Sequence, residues 1–231
     1  AVTEDYYYLY VQVGGLLYIY DISGDPFDPV LLKKAEVSTG GSLHISGDYL
    51  YAMGGGGLCI FDISDRLNPV LVSEFTDLER PETAGMCIDA AGHRAYINDL
   101  YEVKVLDISD PANPTLIGTL PVSEYGVISW ASGGLAIAYM YSSNNPEASN
   151  IKILDVSDLS NVTVLGTISE MPVVSGIDVW SHYLFVALSY TAYWYVPDWQ
   201  KGYGLLVYDI SDPSNPRLLH KCEGYSGYFG W

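Results

Sequence analysis

Positive charge is the scarcest commodity in this 231-residue chain: 10 Lys and Arg stand against 28 Asp and Glu, a formal net charge of −18. A protein that tracks phosphates needs a basic stripe, so nucleic acid is excluded as a partner, and anionic membrane surfaces repel the chain for the same reason. Acidic excess of this kind serves solubility. No apolar run approaches the ~18–20 residues that span a bilayer, so no membrane insertion is expected. The opening residues Ala1-Val2-Thr3-Glu4-Asp5 carry neither a basic nor an apolar leader region; they fit a mature N-terminus left by signal cleavage. Cysteine is sparse too. Cys59, Cys87 and Cys222 form no CxxC and no even-numbered framework, and they read as buried small hydrophobes or as one optional disulfide plus a free thiol.

The familiar catalytic and metal signatures are also missing. The four histidines, His44, His93, His182 and His220, fall without HxxH or HExxH spacing. There is no GxSxG elbow, and the glycines at 54–57 sit between two strand-like runs rather than before a helix. Charged residues make up only 16% and hydrophobic ones 49%, which is enough apolar material for a substantial core. With 21 Tyr, 23 Gly and 12 Pro, the composition suits many short strands joined by tight turns.

One phrase recurs five times: Asp21-Ile22-Ser23, Asp62-Ile63-Ser64, Asp107-Ile108-Ser109, Asp155-Val156-Ser157 and Asp209-Ile210-Ser211. Each follows a β-type run, such as Leu17-Tyr18-Ile19-Tyr20 or Leu205-Leu206-Val207-Tyr208, and precedes a turn rich in Asp, Asn and Pro. The fourth copy carries Val162 where the others have Pro29, Pro69, Pro114 and Pro216. Upstream lies a second pair of strands, as in Ser42-Leu43-His44-Ile45-Ser46, a Gly47-Asp48 turn, and Tyr49-Leu50-Tyr51-Ala52-Met53. The unit is four short antiparallel strands, repeating at 41, 45, 48 and 54 residues from Asp to Asp, the period of propeller blades. The 22 residues after Asp209 and the first 21 residues together make one ordinary repeat. The expected fold is therefore all-β: a single β-propeller domain over residues 1–231, five-bladed, with four antiparallel strands per blade. Blade 1 is expected to be closed by N- and C-terminal strands, with Tyr228 to Trp231 beside the run Tyr8 to Val13, which leaves no free sheet edge.

The five runs before the Asp residues resemble the LVIVD-repeat family of β-propeller repeats, akin in style to YVTN and WD40-type blades. The resemblance covers the whole chain. It implies a propeller, a secreted or cell-surface location in bacteria or archaea, and no common catalytic residues. The chain departs from the family at the end of strand two, where members often show Tyr-Val-Ala-Asp and only Asn98-Asp99 comes near.

The recurring aspartates Asp21, Asp62, Asp107, Asp155 and Asp209 read as structural turn caps, since Asp before a turn accepts backbone N–H bonds. They are spaced around a ring and cannot converge on one ion, so no metal and no cofactor is expected. Inner strands should place His44, Cys87, Ile128, Asp178 and Phe229 on one parity along a channel. A glycoside hydrolase there would need at least two converging carboxylates, whereas Asp178 and Asp89 lie in different registers, so that alternative is unsupported and no enzyme is expected. The extra length of the long repeats falls in loops between strands two and three, at residues 142–150 and 189–204. The second carries Tyr190, Tyr193, Trp194, Tyr195, Trp199 and Tyr203. Polar-tipped aromatics suit recognition, so these residues are the candidate contact for a protein or glycan partner, with packing of the loop on itself as the alternative. Asn161-Val162-Thr163 is the one N-glycosylation sequon. The chain thus reads as an extracellular or cell-surface binding or scaffold protein. A structural subunit of a surface layer or filament, assembled by propeller–propeller contacts or strand exchange, is the alternative.

Overall fold

The computed structural model describes residues 7–36, 41–54, 56–80, 85–141, 148–171, 173–188 and 204–223. The chain divides into two compact units, Ala1–Leu120 and Pro121–Trp231. Both are built from consecutive antiparallel sheets, five in all among the described residues.

In the first unit, one sheet is β1 (Tyr8–Val13), β2 (Leu16–Asp21) and β3 (Val30–Glu36). The next is β4 (Leu43–Ser46), β5 (Tyr49–Gly54), β6 (Gly57–Asp62) and β7 (Val70–Phe75). The third is β8 (Gly85–Asp89), β9 (Arg94–Asp99), β10 (Glu102–Asp107) and β11 (Thr115–Pro121). The second unit opens on a single helical turn, α1 (Val122–Tyr125), which the sequence pattern did not announce. It continues as β12 (Val127–Ser132), β13 (Leu135–Met140), β14 (Asn150–Asp155) and β15 (Thr163–Ile168). Its last sheet is β16 (Val174–Trp180), β17 (Tyr183–Leu188), β18 (Gly204–Asp209) and β19 (Arg217–Glu223).

Strands adjacent in sequence pair, so each sheet is a meander of short local connections. The sheets are named blades one to five below. Blade one has three strands among the described residues, and residues 224–231, expected to supply its fourth, lie outside them. Its first strand is nevertheless a strand two by bonding. In blades two to five the residue after the recurring Asp donates its N–H to the turn joining strands one and two: Ile63 to Asp48, Ile108 to His93, Val156 to Gly134 and Ile210 to His182, all at 2.8–2.9 Å. In blade one Ile22 donates to Tyr7, immediately before β1, at 2.9 Å. Tyr7 thus takes the place of that turn.

The fourth strand bulges at one position in four blades. Leu32, Val72, Leu165 and Leu219 face no partner on strand three, because the register skips one residue there. A bulge sharpens local twist and re-aims the following side chain. Lys33, Ser73, Gly166 and His220 are those following residues.

Cores form between successive blades. In the first unit Tyr10, Leu17 and Ile19 of blade one pack with Leu50, Ala52, Cys59, Phe61 and Ile63 of blade two. The other face of blade two, Tyr51, Met53, Leu58 and Ile60, packs with Ile88, Ala95, Ile97, Leu106 and Ile108 of blade three. The second unit repeats this, with Ile137, Ile151, Ile153 and Ile168 against Leu184, Val186, Leu206 and Ile210. Period-two alternation sends neighbouring residues of the central strands to opposite blade faces, and both faces are apolar, so these strands read as nearly continuous hydrophobic runs.

Candidate functional site

Each blade has two ends of different chemistry. At one end lie the recurring Asp turns. Ser23, Ser64, Ser109, Ser157 and Ser211 each donate a backbone N–H to Oδ1 of the Asp two residues earlier, at 2.8–3.0 Å. A second cap follows. Asp25, Asp65, Asp110, Asp158 and Asp212 accept the N–H two residues on, at 2.9–3.1 Å. The hydroxyl and N–H of the partner serine hold the carboxyls of Asp21, Asp155 and Asp209 below the usual range, Asp209 at about 2. Ser64 and Ser109 do the same for Asp62 and Asp107, the N–H leading. All five carboxylates are therefore engaged by their own turns. Asn161 sits in the fourth of these turns, exposed, its N–H bonded to the Asp158 carbonyl at 3.1 Å.

Asp178 is exposed and accepts the N–H of its neighbour Val179 at 2.8 Å. Asp89 is buried and accepts the Gly92 N–H at 2.8 Å through Oδ1. Cys87 and Ile128 are buried. His44 is half-buried, and burial lowers its pKa. Phe229 lies outside the described residues. Among the described residues no group of three or more His, Cys, Asp or Glu side chains could hold a metal ion. No helix there is long and apolar enough to cross a membrane.

The opposite end carries the turns between strands two and three. In blade three it is anchored by a polar cluster that the sequence pattern did not single out. Asp99 is 1% exposed and accepts the N–H groups of Glu79 and Arg80, at 2.7 and 3.0 Å. The buried Lys104 ammonium donates to the Asp77 carbonyl and lies 3.4, 3.9 and 4.0 Å from the carboxylates of Asp77, Glu102 and Asp99. This ties the crossover from blade two to blade three onto the end of the sheet. Beside it Tyr101 stands 74% exposed, on a turn in which Leu100 has φ +38°. The only signal in the sequence was Asp99 at the end of strand two, with a lysine inside an otherwise apolar strand three.

In the second unit this end gathers the two long connections. Val174, at the start of blade five, donates its N–H to the Tyr139 hydroxyl near the end of β13, at 3.4 Å. Since Val174 pairs with Leu188, Leu188, after which residues 189–203 follow, lies at the same end as Tyr139 and Tyr141, after which residues 142–147 follow. The Met171 N–H donates to the carbonyl of buried Ser149 at 3.0 Å, fastening the return of the first loop to the crossover. Tyr141 is 44% exposed, its ring 6.4 Å from that of Tyr139. Beneath them Lys152 donates to the Glu124 carbonyl, holding α1 to the sheet. Gly126 follows α1 at φ +92°, where a Cβ would lie 2.7 Å from the Tyr139 carbonyl oxygen. The aromatic candidates Tyr190, Tyr193, Trp194, Tyr195, Trp199 and Tyr203 lie outside the described residues.

The LVIVD repeat matches this chain in three places, residues 40–77, 86–121 and 189–223. These cover blades two and three and the second half of blade five. No curated protein matches the chain. Among solved structures, a hypothetical selenium-binding protein from Sulfolobus tokodaii is similar at TM-score 0.66 and 14% identity, over 96% of this chain and 61% of that one. A functionally unknown protein from Desulfotomaculum acetoxidans is similar at TM-score 0.69 and 14% identity, over 96% and 68%. A chain of a mitotic checkpoint complex is similar at TM-score 0.68 and 15% identity, over 98% and 66%. The chain thus spans about 61% of the length of the first of these, and the likeness is one of fold.

Proposed function

We propose that this LVIVD-repeat chain is a non-enzymatic binding or scaffold protein, working outside the cell or at its surface, that recognises a protein or glycan through the loop end of its blades. In this reading the five sheets are the blades of one propeller, and residues 224–231 supply the inner strand that blade one lacks. The observation that carries it is the Val174–Tyr139 bond, which brings the mouths of both long connections to one end of the second unit. Loops held on rigid sheets are where recognition residues concentrate. Exposed Tyr141 already lines that end, and the 189–203 loop adds four tyrosines and two tryptophans. The solved neighbour within a checkpoint complex lends support to a protein partner.

Replacing Trp194 and Trp199 by Ala tests the reading. A glycan array and a surface-proteome pull-down with the native chain identify a ligand. The double variant should lose that binding at least tenfold while its unfolding transition stays in place. Binding that survives the double substitution would sink the assignment of this loop.

A further inference from the structure

In two blades of the first unit the turn from strand two to strand three is made with glycine. Blade one turns through Gly14 and Gly15, at φ +58° and +81°, between the paired residues Val13 and Leu16. Blade two ends β5 on Gly54 and opens β6 on Gly57. A Cβ added at Gly14 would meet nothing within 4 Å, so packing asks for no side chain at that position. Blade three closes the same two-residue turn, between the paired residues Asp99 and Glu102, with Leu100 and Tyr101. Leu100 takes φ +38°, a backbone that glycine adopts freely and leucine seldom does. Both side chains are exposed, Leu100 at 40% and Tyr101 at 74%. Two large side chains therefore stand toward solvent where the sibling turns do without any.

The base of this tip is fixed. Asp99 and Glu102, on either side of it, lie 4.0 and 3.9 Å from the Lys104 ammonium, and Asp77 lies 3.4 Å from the same group. Asp99 also takes the N–H groups of Glu79 and Arg80. A side chain carried on a braced turn gives up little backbone freedom when it binds. The rim is acidic. Asp77 and Glu79 are exposed and Glu102 is 41% exposed, whereas the one ammonium that serves three carboxylates is buried. Across the crossover and the turn, Asp77, Glu79, Asp99 and Glu102 outnumber Arg80 and Lys104.

We propose that the Leu100–Tyr101 turn is the docking point for a protein partner that presents an arginine beside an apolar patch. Charge complementarity selects a cation, and the tyrosine selects which one. A guanidinium can lie flat on a phenol ring while its N–H fork takes a neighbouring carboxylate, whereas an ammonium offers only a point charge. Tyr101 supplies the ring, the adjoining Glu102 supplies the carboxylate, and Leu100 supplies the apolar contact. Tyrosine and arginine are also the residue types on which interface energy concentrates. The inference rests on reading the chain as a binding protein and names the chemistry of a partner, but it makes no use of the 189–203 loop.

The probe is the peptide acetyl-Gly-Leu-Arg-Leu-Gly-amide, titrated into the isotope-labelled 231-residue chain and followed by NMR at the Leu100, Tyr101 and Glu102 amides. Saturable shifts are expected there, about fivefold weaker or more with lysine in place of arginine, and absent with citrulline, its uncharged isostere. Tyr101→Ser and Glu102→Gln should each weaken binding about fivefold or more, with the urea midpoint little changed. Asp28→Asn, which removes a negative charge from the Asp turn of blade one, should leave binding as it was. The proposal is overturned by a lack of saturable shifts at these amides, by equal binding of the citrulline peptide, or by a Tyr101→Ser protein that binds like the native chain. An equal loss from Asp28→Asn would show general attraction to an acidic protein and overturns it too. The Trp194 and Trp199 double variant should bind the peptide normally, so failure at either place is read separately from failure at the other.

Discussion

Gly166 offers the sharpest test of how neighbouring blades are held together. It follows the bulge of β15 and lies under the Asp turn of blade five. A Cβ added there would run into the Pro213 carbonyl oxygen, would lie 3.0 Å from its carbon, and would sit 3.5 Å from Pro216 Cδ. Carbon atoms rest at roughly 3.5–4.0 Å, so blade five's turn must retreat by about half an ångström or more from its carbonyl carbon. Strain of this kind costs about 1–3 kcal/mol. Gly→Ala also restricts the unfolded chain, which returns about 0.4–1 kcal/mol. The net expectation for Gly166→Ala is a loss of about 1–2 kcal/mol. With an m-value of ~3 kcal/mol/M, the urea midpoint of the second unit's transition falls by roughly 0.5 M. Ser73→Ala at the equivalent site is the control, because that position already accommodates a side chain. It loses only the bond to the Pro111 carbonyl, about 1 kcal/mol, and lowers the first unit's transition instead. A Gly166→Ala protein that unfolds at or above the native midpoint would refute the idea that this contact sets the spacing of the blades.

Three further outcomes are expected. The carboxyls of Asp21, Asp62, Asp107, Asp155 and Asp209 titrate below their unfolded values, so their contribution to stability is complete above pH ~4 and is lost as pH falls toward about 2, where Asp209 titrates; Ser211→Ala should raise the Asp209 carboxyl pKa in an NMR titration, and an unchanged value would show that the hydroxyl plays no part. Ile63→Ala should cost about 2–5 kcal/mol in urea unfolding and Ile22→Ala roughly half as much, since Ile63 is buried and Ile22 only half so; equal costs would contradict the difference between the two blades. Asp99→Ala strands the Glu79 and Arg80 N–H groups beside a buried ammonium and should cost about 3 kcal/mol or more, whereas Asp77→Ala, at a largely exposed carboxylate, should cost less than about 1 kcal/mol by the same assay.

What the sequence reveals best is what repeats. The recurring phrase marks the end of strand three in every blade because it does local jobs there: the carboxylate caps the turn, the next residue's N–H bonds backward across the sheet, and in Ile63, Ile108 and Ile210 the side chain enters the core between blades. Such jobs depend on residues close in sequence, and composition displays them. The strand-two start at Tyr8 was legible for the same reason. The Lys104 cluster was not, because it joins Asp77, Asp99 and Glu102 through the fold. The bulge on strand four was also hidden. It arises from a register skip that Leu32, Val72, Leu165 and Leu219 do not betray by residue type, being ordinary apolar strand residues. The helical turn at Val122–Tyr125 is four residues long, too short for a helical period to show.

Repetition also changes how exposure is to be judged. A half-buried leucine on a protein surface ordinarily means nothing. Leu9 gains meaning because Leu50, at the same place one blade on, is buried, and so are Ala95 and Leu184. The same comparison isolates His220 and Cys222, exposed where Ser73 and Phe75, and Gly166 and Ile168, are half-buried or buried.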